Sequence, residues 1–220
     1  MTKQEIIDYV MTTPSNPNKA VLEGMLDSIA DAGGGGSFTL VGTDMSTNQI
    51  KTIKIPNGVT SIGADTFSGY RALESIAIPD SVTSIGDSAF GSCVSLVSVI
   101  IPSGVTSINS LTFDACFALA NVAIPDSVTD IGASAFKNCK SLTSVIIPSG
   151  VTSIAAQAFS QCTALKSITV RATTPPTIQS NTFNSVPTDA IIYVPSESVD
   201  AYKSATNWSA RASYIQAISE

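Results

Sequence analysis

From residue 50 onward the apolar positions return every 23 residues, with Ser, Thr, Asp and Gly filling most places between them. The phrase Ile-Pro-x-x-Val-Thr-x-Ile begins at Ile55, Ile78, Ile101, Ile124 and Ile147. A phenylalanine follows at a fixed offset, at Phe67, Phe90, Phe113, Phe136 and Phe159, and a leucine later, at Leu73, Leu96, Leu119, Leu142 and Leu165. A fixed period of this length predicts stacked coils, a solenoid. In the coil from Leu73 to Ser95, Ile76 and Ile78 alternate as in a strand. Pro79 ends that strand because it has no N–H to extend a ladder. Asp80-Ser81 is turn chemistry, and Val82 and Ile85 begin a second short extended piece. Ser88 to Ser95 carry the chain back, with a helical turn as the expected return. A lone coil buries too little apolar surface to offset the ordering of its backbone, so the array folds as a unit.

The ends do not follow the repeat. Residues 3–30 read as two short helices, with Ile6, Ile7 and Val10 on one side of the first. Asn16-Pro17 starts the second, which carries Val21, Leu22, Met25, Leu26 and Ile29 at helical spacing. Helices this short need something to dock on: the first coil, or another copy of the chain. Gly33 to Gly36 reads as a linker or helix stop, and Ser37 to Thr43 as a strand opening a degenerate first coil. A sixth coil, from Val170, carries one extra residue. After it, Ile192-Tyr193-Val194-Pro195 restores the strand-then-proline phrase. A helix is expected around Ser198 to Ala205. The expected layout is a helical N-terminal segment (1–32), a glycine linker (33–36), a solenoid (37–195) and a helical C-terminal cap (196–220).

A second period lies inside the first. The coils starting at Ile78 and Ile124 read IPDSVT and match at 17 of 23 positions; those at Ile101 and Ile147 read IPSGVT. This implies duplication of a two-coil unit of 46 residues.

Composition narrows the function. The chain is 44% hydrophobic and 13% charged, which suits a packed core and not general disorder. Its net charge is −6 and no basic run occurs, which excludes nucleic acid and disfavours an anionic membrane surface. There is no apolar stretch of the roughly 20 residues needed to span a bilayer. The opening residues, MTKQEIIDYVM, do not read as a secretion signal. A cytoplasmic protein, export by another route, and a signal already removed all stay open. No histidine is present, which removes the commonest general base and metal ligand together.

The stretch IPDSVTSIGDSAFGSCVSLVSVIIP, Ile78 to Pro102, resembles the BspA-type leucine-rich repeat, and the likeness runs from about Ile50 to Pro195. The ending is similar to the tail after such arrays, in ATTPPT from Ala172 and IYVPSESVDAYK from Ile192. The resemblance implies an α/β, right-handed leucine-rich-repeat solenoid, curved, with parallel strands on its concave face. It also implies a bacterial surface or secreted protein that binds host proteins or other cells. The segment TKQEIIDYVMTTPSNPN is faintly similar to leaders of prophage-encoded structural proteins.

Candidate chemistry is sparse. Cys93, Cys116, Cys139 and Cys162 share one phase and stack about 4.8 Å apart. Parallel side chains at that spacing suit neither a disulfide nor a tetrahedral zinc site, so they read as reduced structural thiols. Thr60, Thr83, Thr106, Thr129 and Thr152 read as a hydroxyl ladder between strands. Asp87 and Asp130 are carboxylates with no repeating partner, and the glycine run is not a phosphate loop. No catalytic residue, cofactor or metal site is expected. The candidate interaction surface is the concave face and its flank: Glu74, Ser75, Val97, Ile100, Asn121, Thr143, Ile146 and Lys166. The reading is a non-enzymatic module for an unknown protein or cell-surface ligand. The alternative is a structural attachment component, tethered and self-associating through residues 1–32.

Overall fold

The structure is a computed structural model, and it describes residues 39–41, 50–55 and 57–219. The helical expectations for residues 1–32 and the glycine linker lie outside the described residues.

One strand per coil builds a long front sheet. Its parallel members are β2 (Thr52–Lys54), β4 (Ser75–Ala77), β6 (Ser98–Ile100), β8 (Asn121–Ala123), β10 (Ser144–Ile147), β12 (Ser167–Val170), β14 (Ile191–Val194) and β15 (Ile215–Ala217). Partners lie 23 residues apart from Thr52↔Ser75 to Ser144↔Ser167, wherever the ladder forms. The step becomes 24 at Ser167↔Ile191 and also at Ser153↔Thr177. The extra residue of the sixth coil therefore lies between Val170 and Thr177.

A second, narrower sheet runs along another side. It consists of β3 (Ser61–Ile62), β5 (Ser84–Ile85), β7 (Ser107–Ile108), β9 (Asp130–Ile131), β11 (Ser153–Ile154) and β13 (Thr177–Ile178). Parallel strands thus occupy two sides of the stack, where the resemblance placed them on one.

The return stretch is not helical. It is a run of turns in which every second amide points along the stack. The N–H groups of Ser88, Phe90 and Ser92 donate to the carbonyls of Ser110, Thr112 and Asp114 in the next coil. Ser88 and Ser92 hold positive φ, 54° and 60°, which turns those amides out of the coil and toward the neighbour. A helix would consume its own amides, whereas this backbone spends them between coils. Among the described residues, the α-helix is α1 (Val199–Ser204), with 3-10 turns at Ser196–Ser198 and Ser209–Tyr214. The fold is better described as a β-solenoid closed by a helical cap than as an α/β protein.

The core consists of columns of identical side chains. Phe67, Phe90, Phe113, Phe136, Phe159 and Phe183 stack with centroids 5.2–5.8 Å apart and planes within 13°. Trp208 tilts over Phe183 at 53° and ends the column. The cysteines form a parallel column of free thiols. Each Sγ donates to the phenylalanine carbonyl of the coil before it, Cys93 to Phe67 at 3.1 Å and Cys116 to Phe90 at 3.2 Å. The threonine ladder differs from expectation. Its hydroxyls reach main-chain carbonyls, as from Thr83 to Thr60 and Thr129 to Thr106, and do not bond one another.

The two ends are closed in different ways. β1 (Thr39–Val41) pairs antiparallel with β2, so this stretch is an edge strand folded back on the sheet and not a first coil. At the other end the cap keeps the repeat. Ile192 pairs with Ile215, a step of 23, and α1 fills the return that turns fill elsewhere. Tyr202 Oη donates to the Ala172 carbonyl at 2.7 Å, and Trp208 Nε1 to the Pro176 carbonyl at 2.8 Å.

Candidate interaction face

Alternation within each front strand decides what faces out. In β4 and β6 the middle residue is buried between exposed neighbours, and in β10 Val145 and Ile147 are buried while Ser144 and Ile146 are exposed. The outward positions form two rows across the rungs. One row is Ser75, Ser98, Asn121 and Ser144; the other is Ala77, Ile100, Ala123 and Ile146. A flanking row just before the strands holds Glu74, Val97, Ala120, Thr143 and Lys166.

All eight candidate residues fall on these three rows. Ile100 is 74% exposed, and Val97 and Ile146 are each 48% exposed, so the aliphatic groups project into solvent. Glu74 accepts from Lys51 Nζ at 2.8 Å, which holds the lysine above its ordinary pKa. Ser75 shares a hydroxyl hydrogen bond with Thr52 at 3.1 Å. Asn121, Thr143 and Lys166 are exposed.

The front ladder is not uniform. β2 with β4, β6 with β8, and β10 with β12 pair over three or four residues. β4 and β6 pair at Ser75↔Ser98 alone, and the ladder is interrupted between β8 and β10. The weak steps both run from an IPDS coil to an IPSG coil. Ile78 and Ile124, in the IPDS coils, are partly exposed, whereas Ile101 and Ile147 are buried. The 46-residue unit written in the sequence is therefore also a unit of sheet pairing.

The fault between β8 and β10 opens a shallow depression of about 330 Å³, lined by Asn121, Ala123, Ile124, Ser144, Ile146 and Arg171. Arg171 is absent from the candidate set. It stands where the earlier coils carry proline after isoleucine, and that break in the phrase was readable. Its guanidinium lies 4.0 Å from Asp126. Phe117, 42% exposed with the Lys140 ammonium 4.9 Å from its ring centroid, also escaped notice. Its row, Val94, Phe117, Lys140, Thr163, has no constant character from which to read it.

The described residues contain no group of three or more Cys, Asp or Glu side chains placed to hold a metal ion. The thiols are poor nucleophiles. Burial pushes Cys93 and Cys162 up to about 12, and Cys116 and Cys139 well above the ordinary thiol range. Among the described residues no helix is long and apolar enough to cross a membrane.

The fold and its repeating outward rows define a repeat scaffold. The family model for the BspA-type leucine-rich repeat region matches in six copies, over residues 45–166 and 129–208, and the chain belongs to that family. Among solved structures, a leucine-rich repeat protein of T. pallidum is 27% identical with a TM-score of 0.53, over 61% of this chain and 68% of that one. One from Bacteroides ovatus is 25% identical with a TM-score of 0.51, over 71% of this chain and 53% of its own. The pneumococcal vaccine antigen PcpA shares the fold at 20% identity and a TM-score of 0.60, over 77% of this chain and 41% of its own. The chain thus spans about half the length of the Bacteroides protein and less of the pneumococcal one. No curated protein matches the sequence.

Proposed function

We propose that this chain is a non-enzymatic protein-binding module, displayed at a cell surface or secreted. Its contact surface is the exposed face of the front sheet with its flank: Glu74, Ser75, Val97, Ile100, Asn121, Thr143, Ile146 and Lys166. The partner class is a protein or cell-surface ligand. The observation that carries the reading is Ile100, 74% exposed in mid-sheet, with Ile146 in the same row two rungs away at 48%. A strand position facing only water gains nothing from a bare aliphatic side chain, whereas a binding face gains apolar area to bury. Membership of a repeat family that serves as a scaffold points the same way.

The test is saturable binding of fluorescently labelled full-length chain to epithelial and bacterial cells, with the chain held below about 100 nM. Ile100→Asp with Ile146→Asp is expected to lower binding at least about tenfold, because a carboxylate would be desolvated in the contact. Gln157→Asp, on the return stretch, should leave it unchanged. Absence of saturable binding, or equal loss from both variants, would sink the proposal.

A further inference from the structure

We propose that the front-sheet face docks onto a second copy of this chain, through a two-fold axis parallel to the strands and passing between β6 and β8. On consecutive rungs the outward row reads Ala77, Ile100, Ala123, Ile146: small, large, small, large. The flanking row reads Val97 then Ala120 on the two central rungs. Such an axis reverses the order of the rungs and keeps the strand direction. Ile100 then meets Ala123 of the second copy, and Ala77 meets Ile146 of the second copy. Val97 meets Ala120 of the second copy, so each exposed aliphatic group of the face is set against an alanine. In the polar row Ser98 meets Asn121, and Ser75 meets Ser144, each pair holding both a donor and an acceptor. An axis through a rung would set isoleucine on isoleucine and alanine on alanine. The axis between β6 and β8 matches all four positions of the alternating row.

Charge and rigidity agree with this register. The chain carries a net −6, yet the eight outward positions of β4, β6, β8 and β10 used here hold no ionisable group. Across these four rungs no like charges meet, and the flanking Glu74 faces Thr143 of the second copy. The axis also crosses a well-paired step: β6 and β8 pair at Ser98↔Asn121, Val99↔Val122 and Ile100↔Ala123. The central pairs lie about half a rung, roughly 2.4 Å, from the axis, so the usual rotation of about 30° between packed sheets scarcely displaces them. A contact of these four rungs is small, in the class of reversible association. The inference does not depend on the ligand proposed above, but a dimer closed on this face would hide it from that ligand.

The test is sedimentation equilibrium of the full chain from about 5 to about 500 µM. Reversible dimerisation is expected. Ile100→Ala and Ala123→Ile should each weaken it about tenfold or more, the first by losing packing and the second by setting isoleucine on isoleucine. The double variant restores a large group opposite a small one and should return to within about threefold of the parent. Both positions are exposed and isoleucine suits a strand, so thermal unfolding of the variants should stay near the parent's. A constant mass of 22.7 kDa across the range would overturn the proposal. So would a dimer indifferent to both single variants, as docking through residues 1–32 would give, or a double variant weaker than either single.

Discussion

Arg211 Nη2 donates to the carbonyl of Phe183 at 3.2 Å, the role that a cysteine thiol plays for each phenylalanine carbonyl from Phe67 to Phe136. The same guanidinium reaches the Val186 carbonyl at 3.0 Å and the Pro187 carbonyl at 2.9 Å. One half-buried side chain supplies donors that a further coil would otherwise bring. The top of the stack is thus closed by a residue with no counterpart in the repeat.

Replacing Arg211 by methionine should therefore destabilise the chain by about 2–3 kcal/mol, because buried carbonyls lose donors and the stem packs much as before. Lysine should rescue only part of this, since one ammonium cannot match the guanidinium fork. Urea unfolding followed by the single tryptophan, Trp208, reads the effect beside the lesion. An unchanged midpoint in Arg211→Met would count against the capping role.

The thiol column predicts a loss of stability in alkali. The folded chain holds thiol protons that the unfolded chain releases above roughly pH 8.5, because burial raises the folded values, to about 12 for Cys93 and Cys162. Stability from this source is complete below that pH and is lost as pH rises toward the folded values. Each thiol contributes a slope of about 1.4 kcal/mol per pH unit once the unfolded form ionises. Unfolding free energies from pH 7.5 to 10.5 should fall steeply, and Cys116→Val should remove about a quarter of the slope. Valine is apt because Val186 already fills this phase. A flat profile to pH 10.5 would refute the assignment.

Gly86 is required for a different reason. A Cβ there would lie 2.4 Å from the Ala64 backbone N, where the narrower sheet brings coils together, and the Gly86 amide donates to the Ile62 carbonyl at 2.8 Å. Gly86→Ala should cost about 1–3 kcal/mol by forcing the coils apart. Gly69→Ala, where φ is +77° and no heavy atom lies within 4 Å, should cost only about 1 kcal/mol, from its backbone alone. Thermal unfolding of the pair separates the two causes; equal losses would contradict this account. Of the residues in the same phase as Gly86, Ala155 keeps the amide bond, to the Ile131 carbonyl at 2.8 Å, whereas Asn109 does not. The ladder between β5 and β7 is interrupted, and Asn109 Nδ2 bonds the Ile85 carbonyl in place of the amide.

The inward columns were legible because each depends on residues one period apart. Phe90 predicts the place of Phe113 without knowledge of the coil between them, and the outward place of Ile100 follows from the burial of Val99. Arg171 was legible as a broken phrase and was missed. Arg211, Phe117 and the antiparallel turn of β1 were not legible, since each is defined by what lies beside it in space and by no spacing along the chain.

By itself the sequence determined the stacking period, the columns that fill the core and the rows that face solvent, because apolar periodicity dictates which side chains leave water. Tertiary structure decided how the backbone is satisfied. It replaced the expected helical return by turns, since a stacked coil must give its amides to its neighbour. It set parallel strands on two sides of the stack, folded β1 back along the first rung and completed the last rung from Ile215. It also left Ile100 and Ile146 bare at alternate rungs beside Ala77 and Ala123. Hydrogen-bond partners between coils exist only once the coils are stacked, so a chain read in one dimension reveals the columns and the cap helix at Val199–Ser204, and not how the ends are bonded to the stack.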